Sequence, residues 1–286
     1  MPNVEVEPGV SLHCYVTDFL WPWQRSVPVV LQHGFSRNGL FWTRWIPPLS
    51  GEHRIYRPDV RGFGRSSVPP EGYVYTEEGL VHDIVSILDH FALDKVHWVG
   101  ESSGGRLGLL MAKHAQERLA SLVLLDTPAY SSASNQRVNA VDTEHGGAAM
   151  RRYGLSEWNR RTMGNRIDLS KASPELIEWS NSQVDQVSTQ AAAAYTDFLE
   201  QLDLSPVLPT VSVPTLLIAG ERSAIAGDQQ ATMAANIPGA RLHIVKDLGH
   251  SVSLLATDEC VREAQALWST VQNEAAPIGA RARKPR

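Results

Sequence analysis

Short apolar runs alternate with longer stretches in which apolar positions recur every three or four residues, and this rhythm covers most of the chain. The runs at 29–31, 54–56, 96–99, 122–125, 215–219 and 242–245 predict strands. Residues 4–19 alternate around Pro8-Gly9, the pattern of an opening β-hairpin. Residues 77–91 carry Leu80, Ile84, Leu88 and Phe91 at helical spacing, with Thr76 placed as an N-cap. A helix entered at Gly104 has Leu107, Leu110 and Met111 as its apolar face, and a final helix is predicted over 254–271. Strands alternating with helices call for a mostly parallel sheet covered on both faces.

Between 129 and 210 the alternation gives way to helical pattern alone. Segments near 144–153, 156–163, 174–185 and 188–202 are separated by Gly154, Gly164 and Ser173-Pro174. The last residues, 277–286, are basic and lack apolar spacing, so 276–286 reads as a disordered tail. No internal repeat of fixed period is found.

A chain of 286 residues buries a full core, and 43% hydrophobic with 20% charged residues is the make-up of an ordinary soluble globule. A formal net charge of -5 argues against a nucleic-acid surface. The N-terminus has neither a basic nor an apolar leader segment, and no run is long enough to span a bilayer. Two cysteines far apart in sequence, Cys14 and Cys260, exclude a disulfide framework and suit a reducing cytoplasm, where the protein is placed.

The chemistry concentrates in Gly100-Glu101-Ser102-Ser103-Gly104, entered from an apolar strand and left by a helix. This is the pattern of a nucleophile elbow, a turn tight enough to need residues without side chains two before and two after the serine. It lifts the hydroxyl clear of the sheet and turns the first N–H groups of the helix toward a developing oxyanion. Three further segments accompany it. His33-Gly34-Phe35 follows the 29–31 strand, with Gly34 allowing the chain to turn and leave the Phe35 amide free. Asp59-Val60-Arg61-Gly62-Phe63-Gly64-Arg65-Ser66 is a glycine-punctuated loop after the next strand, and Asp247-Leu248-Gly249-His250 follows the last.

With these motifs in this order, the chain resembles the α/β-hydrolase family over nearly its whole length. The resemblance implies an α/β-hydrolase fold with a mostly parallel central sheet, helices on both faces and an inserted helical cap. The core would be 1–128 and 211–275, and the cap 129–210. It implies a capped serine hydrolase in which Ser102 is the nucleophile, His250 the base, and the N–H groups of Phe35 and Ser103 the oxyanion donors. A serine hydroxyl is a weak nucleophile at neutral pH and needs such a base.

The acid is the open position. The family's usual place, a few residues past the seventh strand, holds Ser223, and a neutral hydroxyl cannot stabilise an imidazolium as a carboxylate does. Some members carry the acid after the sixth strand, where Asp126 stands. The order Ser102, Asp126, His250 then keeps nucleophile, acid, base, with Glu221 and Asp228 as the alternatives. His33 belongs to the oxyanion loop and is expected to be structural. No His pair has metal-ligand spacing, so no metal is expected, and no cofactor is expected because nucleophile, base and oxyanion donors all come from the chain.

Trp42, Trp158, Tyr153 and Trp179 are the candidate pocket residues, suggesting a small apolar or aromatic substrate. Arg151, Arg152, Arg160, Arg161 and Arg166 are alternatives for anchoring a carboxylate, although a charge run on a helix is usually a solvated face. The leading function is cofactor-independent hydrolysis of a carboxylic ester or lactone through an acyl-enzyme. Hydrolysis of a C–C bond of the meta-cleavage type and perhydrolysis use the same triad. A receptor retaining that triad is the reading from another class. The expected partner is a small-molecule substrate, with no nucleic acid and no membrane, and the sequence does not specify oligomeric state.

Overall fold

The computed structural model describes residues 3–224 and 229–275. Its strands are β1 (Asn3–Glu7), β2 (Val10–Thr17), β3 (Val29–Gln32), β4 (Ile55–Pro58), β5 (Val96–Glu101), β6 (Leu119–Leu125), β7 (Thr215–Gly220) and β8 (Arg241–Val245). They form one sheet in the order β1-β2-β4-β3-β5-β6-β7-β8. β1 and β2 pair antiparallel, β2 meets β4 antiparallel, and every pairing from β4 to β8 is parallel.

The central strands are apolar throughout because successive residues feed opposite cores. In β6, Leu122 and Leu124 enter one core while Val123 and Leu125 enter the other; in β5, Trp98 and Val99 divide the same way. The helices in chain order are α1 (Ile46–Leu49), α2 (Glu77–His90), α3 (Ser103–His114), α4 (Ala133–Ala140), α5 (Gly146–Tyr153), α6 (Leu155–Thr162), α7 (Pro174–Val184), α8 (Thr189–Gln201), α9 (Gln229–Asn236), α10 (Val252–Leu255) and α11 (Thr257–Ala275). Apolar side chains of α2 and α3 fill one core, and α11 fills the other. Thr76 caps α2 by accepting a hydrogen bond from the Gly79 N–H.

Helices α4 to α8 stand between β6 and β7. Helix α4 is one the apolar periodicity does not reveal, since Ala140 is its single buried residue. The expected single C-terminal helix is divided into α10 and α11, with Ala256 leaving helical geometry between them. Chain entry and exit of this insertion are tied by the bridge Tyr130–Asp203 and by the Leu204 N–H bonding to the Ala129 carbonyl at 3.0 Å. The tail 276–286 and Asp228 lie outside the described residues. Among the described residues no helix is long and apolar enough to cross a membrane.

Candidate active site

β5 ends one residue before Ser102, and α3 begins one residue after it, so the serine takes the whole change of direction. Its backbone sits at φ 53°, ψ -115°, a conformation that costs a non-glycine residue on the order of 1–3 kcal/mol. The turn is held by the Ser102 N–H bonding to the Leu125 carbonyl at 2.8 Å and by the N–H groups of Gly105 and Arg106 bonding to the Ser102 carbonyl, each at 3.1 Å. A Cβ on Gly100 would stand 2.3 Å from the Gly104 carbonyl oxygen, and one on Gly104 2.3 Å from the Gln32 carbonyl oxygen. Both approaches are far inside van der Waals contact, which explains the spacing of the two glycines.

The His33-Gly34-Phe35 turn lies against this elbow, since a Cβ on Gly34 would come within 3.5 Å of Ser102 Cβ. His33 fixes the turn. Its Nδ1 faces the Gly34 carbonyl oxygen at 2.8 Å, and its Nε2 accepts from the Val60 N–H at 3.0 Å. This assigns the Nδ1–H tautomer, and burial pushes the imidazole down to about 4, so the ring stays neutral. Among the described residues, no hydrogen bond within the protein uses the N–H of Phe35 or of Ser103. Two such donors beside a raised serine suit a developing oxyanion.

His250 is buried in the loop after β8. Its Nδ1 lies 3.0 Å from Ser223 Oγ and 3.9 Å from Asp126 Oδ2. Asp126 follows β6 at φ 45° and is fully buried. Its carboxylate accepts from the N–H groups of Gly220 at 3.0 Å, Ser251 at 2.8 Å and Val252 at 3.0 Å, and from the Ser223 side chain. Burial still pushes Asp126 up to about 6, against the lowering effect of those bonds, and pushes His250 down to about 3. Of the alternative acids, Glu221 accepts from the Asp247 N–H at 3.0 Å on the outside of the loop.

Beneath the histidine loop is a polar network that sequence reasoning missed. Arg37 pairs with Glu101, the residue before Ser102, and also donates to Ser251 Oγ at 2.5 Å and to the Arg166 carbonyl at 3.0 Å. Glu101 accepts in turn from Ser253 Oγ at 2.6 Å. The available signal was a carboxylate ending a strand otherwise free of charged side chains, which on burial requires a cation. Residues 166–168 of the insertion complete the arrangement. Ser251 Oγ donates to the Arg166 carbonyl at 2.6 Å, the Asp168 N–H to the His250 carbonyl at 3.2 Å, and the Gly249 N–H to Asp168 Oδ2 at 2.8 Å.

The cavity containing Ser102 has a volume of about 60 Å³ and is lined by Phe35, Ser103, Arg106, Pro128, Ser131, Asn135, Asn139, Trp158, Arg166, Thr196, Leu199 and Glu200. Trp158 is the one candidate pocket aromatic in its wall, packed edge-on to Phe35 at 5.7 Å. The other three are corrected by the structure. Trp42 is buried edge-on to Trp45 in the core shared with α11, because it points from the turn after β3 toward the far face of the sheet. Tyr153 turns outward, its hydroxyl bonded to Asp142 at 2.5 Å and its ring beside Arg152 and Arg161. Trp179 packs on Phe41 at 4.5 Å. The wall therefore sets charged and polar side chains beside Phe35, Pro128, Trp158 and Leu199, and holds one of the four expected aromatic residues.

Comparison with known proteins agrees with this architecture. The sequence profile described as the alpha/beta hydrolase fold matches residues 27–257. The 3-oxoadipate enol-lactonase 2 of Acinetobacter baylyi is 26% identical over 200 residues, covering 69% of this chain and 72% of that one. The 2-hydroxy-6-oxo-2,4-heptadienoate hydrolase of Pseudomonas putida is 37% identical over a shorter stretch, 40% of this chain and 42% of that one. Among solved structures, an esterase from Thermogutta terrifontis superposes with a TM-score of 0.79 at 26% identity, covering 92% of this chain and 94% of that chain.

Proposed function

The chain belongs to the α/β-hydrolase fold family, and from that premise we propose that it is a serine hydrolase of a carboxylic ester or lactone, working through an acyl-enzyme on Ser102. The observation that carries the reading is the strained Ser102 turn, flanked by the unused N–H groups of Phe35 and Ser103. In this reading the neutral imidazole of His250 takes the Ser102 proton as the oxygen attacks the carbonyl carbon. The tetrahedral oxyanion is held by the two N–H groups, and the proton passes to the leaving oxygen. Water, activated by the same imidazole, then releases the acid. Asp126 is the group that stabilises the transient imidazolium, with Ser223 bonded to both.

Residues 129–210 act as the cap in this reading. They contribute Ser131, Asn135, Asn139, Trp158, Arg166, Thr196, Leu199 and Glu200 to the cavity wall. The enol-lactonase and esterase names among its relatives support an ester or lactone bond. The test is turnover of short-chain activated esters and simple lactones, together with mass spectrometry of the protein after an organophosphonate label. The expected result is repeated turnover without added cofactor, a label on Ser102, and loss of nearly all activity in Ser102→Ala. Substantial turnover by Ser102→Ala would overturn the assignment. One or few turnovers per molecule would favour a receptor.

A further inference from the structure

The cavity beside Ser102 contains two guanidinium groups, those of Arg106 and Arg166. Every hydrogen-bond partner that either one has among the described residues is neutral. Arg166 donates to Thr162 Oγ1 at 2.9 Å and to Asn159 Oδ1 at 2.7 Å and its carbonyl at 3.4 Å. Arg106, almost wholly buried, donates to Ser131 Oγ at 3.2 Å, to the Leu199 carbonyl at 2.9 Å and to the Leu202 carbonyl. Its Nε is buried without a partner among the described residues. A guanidinium carries five N–H donors, so Arg166 keeps Nε–H and one Nη1–H uncommitted.

Arg106 is withdrawn from water and Arg166 partly so, and positive charges placed this way among neutral partners are costly unless a negative charge joins them. The carboxyl in the same wall, Glu200, accepts from the Gly146 N–H at 3.2 Å and forms no ion pair with either arginine among the described residues, and burial raises its pKa. Burial pushes Arg166 down to about 9, with Arg37 adding to the effect, and Arg106 down to about 10 against the weaker pull of Asp203. Arg166 is also held in place. Its guanidinium lies 4.2 Å over the Trp158 ring, and its carbonyl is fastened by Ser251 and Arg37 to the loop that carries His250. Arg106 is engaged mainly in pinning α3 to the end of α8, which leaves Arg166 as the better placed donor.

We infer that this cavity seats a carboxylate of the substrate, close to the scissile carbonyl, with Arg166 as its main partner and Arg106 adding charge behind it. The inference rests on the hydrolase reading above and specifies its substrate class: a half-ester or lactone of a short acid. A volume of about 60 Å³ takes only a few heavy atoms, which fits a carboxylate on one or two carbons and not a long acyl chain.

Two ester pairs test it: monoethyl succinate against ethyl pentanoate, with the charge on the acyl side, and acetoxyacetate against propyl acetate, with the charge on the alcohol side. In at least one pair the charged ester is expected to have the higher kcat/KM. Arg166→Gln is expected to reduce the ratio of kcat/KM for the charged ester to that for its neutral partner ten- to a hundredfold, mainly through KM of the charged ester. Arg166→Lys is expected to recover part of the loss. Because the fastening contacts of residue 166 use its carbonyl, these variants keep them. Preference for the neutral ester in both pairs, or equal losses on charged and neutral esters, would overturn the inference. Calorimetric titration of Ser102→Ala with succinate reads the same site without turnover. Saturable binding weakened at least tenfold by Arg166→Gln supports the carboxylate site even if no ester is hydrolysed, and binding indifferent to Arg166→Gln overturns it.

Discussion

The imidazole of His250 is hydrogen-bonded through Nδ1 to the hydroxyl of Ser223, 3.0 Å away. Asp126 Oδ2 is farther from the same nitrogen, at 3.9 Å, and the Ser223 hydroxyl also bonds to that carboxylate. A hydroxyl both donates and accepts, so Ser223 can receive the Nδ1–H and pass its own hydrogen to Asp126. In the proposed triad the carboxylate provides the charge and the serine supports its direction. Asp126→Asn is expected to reduce kcat on the order of 10⁴-fold, as when an imidazole loses its carboxylate. Ser223→Ala is expected to cost about fivefold, the scale of one hydrogen bond near 1 kcal/mol. Asp126→Asn with Ser223→Asp should recover part of the loss. Near wild-type activity in Asp126→Asn would place the acid elsewhere.

The acid limb of the pH–rate profile follows from burial. The base must be neutral and Asp126 ionised, and burial moves His250 down to about 3 and Asp126 up to about 6. Falling pH therefore protonates the carboxylate before the imidazole, and the pair titrates as a unit. Activity in kcat/KM is expected to hold down to pH 6.5 and to fall with a midpoint near or below about 6. A midpoint above 7 would show an imidazole whose pKa is raised, contrary to its burial.

Glu101 and Arg37 form an ion pair with side chains only 2% and 10% exposed. Removing one charge leaves the other buried without its counter-charge, typically a loss of about 3–5 kcal/mol. Glu101→Gln is expected to lower stability by roughly that amount in denaturant titration. The double variant Glu101→Gln, Arg37→Met is expected to be less destabilised than Glu101→Gln alone. Equal stability of Glu101→Gln and wild type would mean the pair is open to water in solution.

The aromatic side chains give a comparison with opposite readouts. Trp158→Ala opens the wall of the Ser102 cavity and is expected to change the ratio of kcat/KM between short and longer esters. Trp42→Ala removes a side chain from the closed core and is expected to cost about 3–5 kcal/mol of stability while leaving that ratio unchanged. Trp179→Ala should leave the ratio alone. A change of ester preference in Trp42→Ala and none in Trp158→Ala would reverse the placement.

Most of the sheet and the elbow were legible because they depend on local chemistry. The runs at 96–99 and 122–125 are strands whose residues divide between two cores, and Gly100 and Gly104 are spaced by the contacts a Cβ would make. Helix α4 was not legible, since its residues are mostly polar and only Ala140 is buried. Nor was the facing of Trp42 or Tyr153, because periodicity tells that a side chain is large and apolar but not which of two cores, or which side of an insertion, receives it. Ser223 was read as an acid missing from its usual place. Its hydrogen bonds to His250 and Asp126 depend on two strand ends lying side by side, which no local pattern encodes.

The contacts from residues 166–168 to Gly249, His250 and Ser251 join the insertion to the very loop that would act on a substrate. A roof attached only at its two chain connections can lift as a plate and leave the machinery beneath it intact. Here that movement would pull the support from the imidazole as it uncovered the serine. Access to Ser102 without such disruption has to come from bending elsewhere in the insertion, with 166–168 kept as the fixed edge. Shortening the insertion across those residues would then lower turnover on every substrate, whereas changes at the cavity-lining side chains of α4, Asn135 and Asn139, would alter only the choice among them.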